Sequence, residues 1–279
     1  MQKIKISEIF YSLQGEGQYI GVPSIFLRTF GCNFTCGGFG MARGEKSIER
    51  DNVDVSKYTD YKQLPLVSTG CDSYASWDPR FKHLSPVLEI SAIIDRFKEL
   101  LPDNIFSRDK HLIITGGEPL LGWQRTYPEL IDKCIDMGLT HLTFETNGTQ
   151  RLTDELKSYL LSIADKVEIT FSISAKLPCS GEKWEDAIKP DIIANYMTIP
   201  NRSYFKFVAA TKDDIDDAHK AISEYKDAGI DIPVYIMPIG GINSVYELNE
   251  RQVADYCRDN GLRFSPRIQV PLYKNAWGT

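Results

Sequence analysis

The chain has 279 residues, 42% of them hydrophobic and 25% charged, with a formal net charge of -6. That length and apolar content suit one large domain with a substantial core and exclude a disordered, collagenous or low-complexity protein. With no 18-residue apolar run, no export-signal core in MQKIKISEIF and no Lys/Arg block, we expect a cytoplasmic protein that engages neither membrane nor nucleic acid.

In chain order, an N-terminal element over residues 3–13 precedes a strand at 24–30. Further strand-like runs, rich in β-branched and aromatic residues, fall at 111–115, 141–146, 167–173, 204–210 and 233–238. Helical spacing occupies 87–101, 127–137, 153–164, 213–228 and 245–260, with Gly138, Gly229 and Gly261 as stop signals. Ser244-x-x-Glu247 fits a capping box. The repeated β–α order predicts a parallel α/β sheet, and six strands are too few for a closed eight-stranded barrel. The expected fold is therefore a partial, open (β/α)6-type barrel with an N-terminal extension, a single domain over 1–279. Residues 37–70 break the rhythm and include a charge run from Arg43 to Asp51. They read as an inserted loop or small subdomain: a solvated excursion, or else a lid or partner surface.

Chemistry in such folds gathers at the C-terminal strand ends. There the chain places Gly31-Cys32 and Cys36, then Thr115-Gly116-Gly117-Glu118-Pro119, Glu145-Thr146-Asn147-Gly148, Ser174-Ala175-Lys176 and Met237-Pro238. The glycines permit close approach of a ligand to the backbone, and the Glu118 carboxylate could receive an amino group. Six cysteines in a chain without an export signal point to reduced thiols, some of them metal ligands or reactive. Cys32 and Cys36, spaced C-x3-C, can reach one metal centre, and thiolates suit zinc or iron–sulfur clusters. Cys71, in Gly70-Cys71-Asp72-Ser73, is the candidate third ligand, and three ligands would leave one corner of an iron cube open. Cys134 and Cys257 read as core residues; Cys179 lies in a loop. Gln14-Gly15-Glu16-Gly17 with Gly21 is not a dinucleotide fingerprint, because its spacing is one residue too long and a strand follows.

Taken together, the motifs resemble the radical S-adenosylmethionine (SAM) enzymes and, among them, the 7-carboxy-7-deazaguanine synthases. The resemblance rests on residues 8–17 (EIFYSLQGEG), 21–28 (GVPSIFLR), TGGEPLL, ETNG and Ser174-Ala175-Lys176, and runs nearly end to end. Two departures stand out. The superfamily's C-x3-C-x2-C is interrupted, with Phe at position 39 and the next cysteine at 71, which makes 37–70 an insertion in the cluster loop. Tyr273 stands where a histidine is often found.

The resemblance implies conversion of 6-carboxy-5,6,7,8-tetrahydropterin to 7-carboxy-7-deazaguanine with loss of ammonia, in 7-deazapurine (queuosine-type) biosynthesis. It implies a [4Fe–4S] cluster on Cys32, Cys36 and Cys71, and Mg2+ at Ser73. SAM would sit at Gly70, Cys71, Asp72, Gly117, Glu118 and Ser174-Ala175-Lys176. The pterin would meet Leu13, Gln14, Gly15, Arg28 and Thr115, with Arg28 as a fork for its carboxylate. Glu145 is expected to line the pocket and Lys206 to face SAM. An electron donor such as flavodoxin and a homodimeric state are implied as well. The competing readings are a glycyl-radical activase and a non-catalytic zinc protein.

Overall fold

A computed structural model describes residues 2–106 and 110–279; Met1 and residues 107–109 of the expected single domain lie outside the described residues. Its centre is an open sheet of nine strands: β1 (Lys3–Leu13), β2 (Pro23–Thr29), β3 (Val87–Glu89), β4 (His111–Gly116), β5 (His141–Thr146), β6 (Glu168–Ile173), β7 (Tyr204–Ala209), β8 (Val234–Pro238) and β9 (Arg263–Phe264). The order is β3-β1-β2-β4-β5-β6-β7-β8-β9. From β2 to β9 all neighbours run parallel, while β1 is antiparallel to β2 and to β3. The fold is the expected open, mostly parallel α/β sheet. Two short strands were not legible. The first three residues of the expected 87–101 helix pair with β1 as β3, and the two-residue β9 extends the other edge.

The long helices follow from apolar spacing. Helix α1 (Ile90–Leu100) buries Ile90, Ile93, Ile94 and Phe97; α2 (Tyr127–Asp136) buries Tyr127, Leu130, Ile131 and Cys134. Both are i, i+3, i+4, i+7 faces. Helix α3 (Asp154–Ile163) starts on Thr153, whose hydroxyl accepts from Leu156 N. Short α4 (Trp184–Ala187) and α5 (Pro190–Tyr196) lead to β7. Helix α6 (Lys212–Asp227) carries a capping box, Thr211 with Asp214. Helix α7 (Asn243–Asp259) corrects the expectation at its start: it begins one residue before Ser244, with Ile242 at the cap position and no side-chain cap. A five-residue α8 (Gln269–Tyr273) closes the chain. The three stop glycines adopt positive φ, as their type allows.

Alternation along the strands divides the sheet into two faces. Ile25 and Leu27, Leu112 and Ile114, Leu142 and Phe144, and Phe205 and Phe207 belong to the main core with the helices. Each such buried side chain contributes about 1.5–3 kcal/mol. The intervening residues point to the concave side: Arg28, Thr115, Glu145, Lys206 and Met237 all line one cavity there. Parallel register aligns them, with Arg28 beside Thr115 and Lys206 beside Tyr235.

Residues 37–70 are built from short 3-10 turns at Arg50–Asn52, Val55–Lys57 and Tyr61–Gln63. They are not wholly solvated. Tyr61, Leu64 and Val67 form a second apolar cluster with Tyr74, Ala75 and Phe81, against which Trp277 packs.

Candidate active site

Two segments bring Cys32, Cys36 and Cys71 to one cavity, although residue 71 is 35 positions beyond Cys36 in sequence. The loop after β2 carries the first two. Backbone pairing closes the base of the insertion: Gly70 N donates to Phe39 O at 2.7 Å and Ser47 N to Gly37 O at 2.8 Å. The excursion therefore leaves and returns at nearly the same place. Cys71 and Cys32 pack with Phe34, Cys36 and Ala187.

Several N–H groups face the sulfurs. Phe34 N donates to Cys32 Sγ at 3.4 Å, Trp77 Nε1 to Cys71 Sγ at 3.4 Å, and Asn147 Nδ2 approaches Cys32 Sγ at 4.0 Å. Burial pushes the Cys32 thiol up to about 12, and those of Cys36 and Cys71 upward as well; Lys176 acts in the opposite direction on each. Loading metal must therefore release protons from these thiols. Among the described residues, no three His, Cys, Asp or Glu side chains converge to hold a single metal ion. Thiolates on one zinc would lie about 3.8 Å apart, given its tetrahedral geometry and Zn–S bonds of about 2.3 Å. Three soft donors on a shared wall, with N–H groups aimed at sulfur, fit an iron–sulfur cluster.

Most other residues expected at the site line the same cavity: Leu13, Gln14, Gly15, Arg28 and Thr115; Gly70, Asp72 and Ser73; and Gly117, Ser174 and Lys176. Any side chain at Gly117 would force the loop to shift, because a Cβ there would meet Gly31 O at 2.3 Å and Cys32 Cβ at 2.7 Å. Lys176 Nζ donates to Ser174 Oγ at 2.9 Å.

Two expected residues do not reach the cavity wall. Ala175 is packed in the main core. Glu118 is fully buried and turned into its own loop, where it accepts from Leu120 N at 3.0 Å, Thr146 Oγ1 at 2.8 Å and Asn147 N at 2.7 Å. Burial raises it to about 7 against those hydrogen bonds. It braces the Gly116–Pro119 and Thr146–Gly148 loops and is not exposed to receive an amino group.

Arg28 is held by Glu8, whose Oε2 accepts from Nε at 3.1 Å, and its Nη1 donates to Ser73 Oγ at 3.2 Å. Burial raises the Glu8 carboxyl above its ordinary value, with Arg28 opposing. Ser73 Oγ in turn donates to Asp72 Oδ1 at 3.3 Å. Tyr273 is exposed and away from the cavity.

A charge network beside the cavity was not foreseen as a unit. Glu16 accepts from Lys206 Nζ at 2.6 Å, Arg267 Nε at 3.0 Å and Gln269 Nε2 at 2.8 Å. Arg267 Nη2 donates to Asp72 Oδ2 at 2.5 Å and Nη1 to Gly240 O. Glu145 accepts from Gln14 Nε2 at 3.0 Å and Thr115 Oγ1 at 2.9 Å, and lies 4.0 Å from Lys206 Nζ. Burial would raise Glu16, but Lys206 and Arg267 outweigh it and hold the carboxyl far below its usual range. Asp72 is likewise held low, by Arg267. Lys206, expected from its mid-strand place to face SAM, lines the cavity with its ammonium on Glu16. Arg267 follows a strand too short to announce itself.

No family model matches the chain. Curated relatives do. The 7-carboxy-7-deazaguanine synthase of Halobacterium salinarum is 27% identical over 282 residues, covering 98% of this chain and 91% of its own. That of Pyrobaculum aerophilum is 27% identical over 279 residues, covering 99% and 97%. The crystal structure of QueE from Escherichia coli superposes with a TM-score of 0.53 at 19% identity, covering 95% of this chain and 93% of that one, and so shares the fold. From end to end, then, the chain is similar to the 7-carboxy-7-deazaguanine synthases.

Proposed function

We propose that the protein is a 7-carboxy-7-deazaguanine synthase of the radical SAM type, contracting the ring of 6-carboxy-5,6,7,8-tetrahydropterin with loss of ammonia. One observation carries the reading: Cys32, Cys36 and Cys71 line a single cavity together with residues 14–16, 115–117, 145–147, 174 and 176, drawn from the QGEG, TGGEP, ETNG and Ser174–Lys176 motifs. The near full-length similarity to proteins of that name supports it.

In this reading the three cysteines hold three irons of a [4Fe–4S] cluster and leave the fourth to SAM. Cluster and SAM, when bound, would supply the radical chemistry that removes a hydrogen atom from the pterin. The chain's own residues bind and orient. Gly117 lets backbone approach SAM closely, and Lys176, held by Ser174, places a positive charge near the sulfurs. Arg28, oriented by Glu8, offers a guanidinium fork to the substrate carboxylate. Gln14 and Thr115, both bonded to Glu145, present polar edges to the pterin ring. Ser73 and Asp72 offer oxygen atoms to Mg2+, a hard ion that prefers them. Residues 37–70 are an insertion in the cluster loop of a single domain, and Leu66 and Ser68 let it form one wall of the cavity. A flavodoxin-like donor, a homodimer and a cytoplasmic setting complete the proposal. No helix among the described residues is long and apolar enough to cross a membrane.

Anaerobic turnover tests it. Reconstituted protein given SAM, Mg2+, reductant and the carboxypterin is expected to form 7-carboxy-7-deazaguanine and ammonia, read by mass spectrometry. SAM cleavage with the pterin left intact would refute the substrate assignment.

A further inference from the structure

Cys36 adopts φ +47°, a left-handed conformation that costs free energy in any residue with a side chain. Something must hold it there. The loop after β6 supplies two grips. Glu182 Oε1 accepts from Cys36 N at 2.8 Å, from Thr35 N at 2.9 Å and from Thr35 Oγ1 at 3.3 Å. Gly38 N donates to Ser180 O at 2.8 Å. The backbones touch at this point: a Cβ on Gly38 would lie 2.6 Å from Gly181 N and 2.8 Å from Ser180 C. Ser180 Oγ accepts from Glu182 N at 3.2 Å and donates to Leu177 O at 2.7 Å, which fixes the turn that carries the carboxylate.

Hydrogen bonds from backbone N–H to a carboxylate are stronger than those to a neutral acceptor. A carboxylate here also places a negative charge at the backbone of a cluster ligand. The potential of an iron–sulfur cluster depends on nearby charge and on hydrogen bonding around its sulfurs. Adding an electron beside a fixed negative charge is less favourable.

We propose that Glu182 is a positioning residue that clamps Cys36 in its left-handed conformation and, through its charge, lowers the reduction potential of the cluster. The proposal rests on the cluster reading above. Glu182 lies on the segment that continues from Ser174–Lys176, so one loop serves both the SAM side and the cluster side of the site.

Two substitutions separate geometry from charge. Glu182→Gln keeps an acceptor oxygen and removes the charge; Glu182→Ala removes both. In EPR-monitored redox titration of reconstituted protein, Glu182→Gln is expected to ease reduction about threefold to tenfold. That is a rise in midpoint of about 28 to 59 mV for one electron. Glu182→Ala is expected to lose iron to a chelator several-fold faster than wild type. Amide exchange over residues 33–38 in iron-free protein reads the clamp without the cluster: protection is expected to fall in Glu182→Ala and persist in Glu182→Gln. A wild-type potential in Glu182→Gln would overturn the electrostatic role. Unchanged exchange in Glu182→Ala would overturn the clamp. Wild-type protein that binds no iron would overturn the cluster reading and the potential role with it, while the exchange result still decides the clamp.

Discussion

Replacing Arg267 with methionine removes one of two cations from a buried network and tests whether that network holds the site together. Glu16, Asp72 and Glu145 face Lys206 and Arg267. The substitution changes the local sum from -1 to -2 and breaks contacts of 3.0 Å to Glu16 and 2.5 Å to Asp72. Breaking one side of a buried ion pair costs about 3–5 kcal/mol. Arg267 is 7% exposed, yet the network borders an open cavity, which gives the stranded carboxylates some water and favours the lower end. Methionine fills most of the stem volume, so the cavity contribution is small. About 3 kcal/mol corresponds to a melting point about 5 °C lower for 279 residues, whose unfolding entropy is about 0.6 kcal/mol per degree. Thermal unfolding by circular dichroism at neutral pH reads it. Asp72→Asn in the same background should show coupling of about 1–3 kcal/mol. A melting point within about 2 °C of wild type, or strict additivity of the two changes, would refute the reasoning.

Other consequences are equally concrete. His111 stacks on His141 with ring centroids 4.4 Å apart, and burial, then His141, lowers it to about 4. Its folded value lies below the unfolded one of about 6.5, so its contribution is intact above pH 6.5 and is lost as pH falls toward 4. Stability by urea denaturation should be about 2 kcal/mol lower at pH 5 than at pH 7 through this group. His111→Asn should flatten that fall, and an equal fall in the variant would contradict the assignment. Gly117→Ala, whose Cβ would lie 2.3 Å from Gly31 O, should cost about 1–3 kcal/mol and impair iron retention. Full iron content and an unchanged melt would count against the packing argument. Trp277 meets Tyr61 and Tyr74 edge-on at 5.6 and 5.7 Å. Trp277→Ala should loosen residues 58–67 by about 1–3 kcal/mol, seen as faster amide exchange there and not over β4–β6.

The central strands were legible because each is buried against helices on one face, which keeps long apolar runs in sequence. Strand β9 was not, because two residues carry no period, and β3 was absorbed into the amphipathic run of α1. Ser244 and Glu247 matched a cap by spacing, yet the helix begins earlier, at Asn243, whose side chain bonds Glu247. The insertion looked aperiodic because Tyr61 sits on a 3-10 turn, Leu64 and Val67 follow it in irregular chain, and all three find their partners at Tyr74, Phe81 and Trp277. At the site, strand-end position identified most of the lining. It could not say which way a loop carboxylate turns, and Glu118 turns inward because three donors await it there. Arg267 was invisible for another reason: its partners lie 251 and 195 residues away in sequence.

The central claim is that three sulfurs, at positions 32, 36 and 71, share one iron–sulfur cluster. Iron and sulfide counting on anaerobically reconstituted Cys71→Ala and Cys134→Ala, beside wild type, tests it most directly. About four irons in wild type and in Cys134→Ala, with loss in Cys71→Ala, is the expected result. Equal iron in both variants, or one zinc and no iron in wild type, would contradict it.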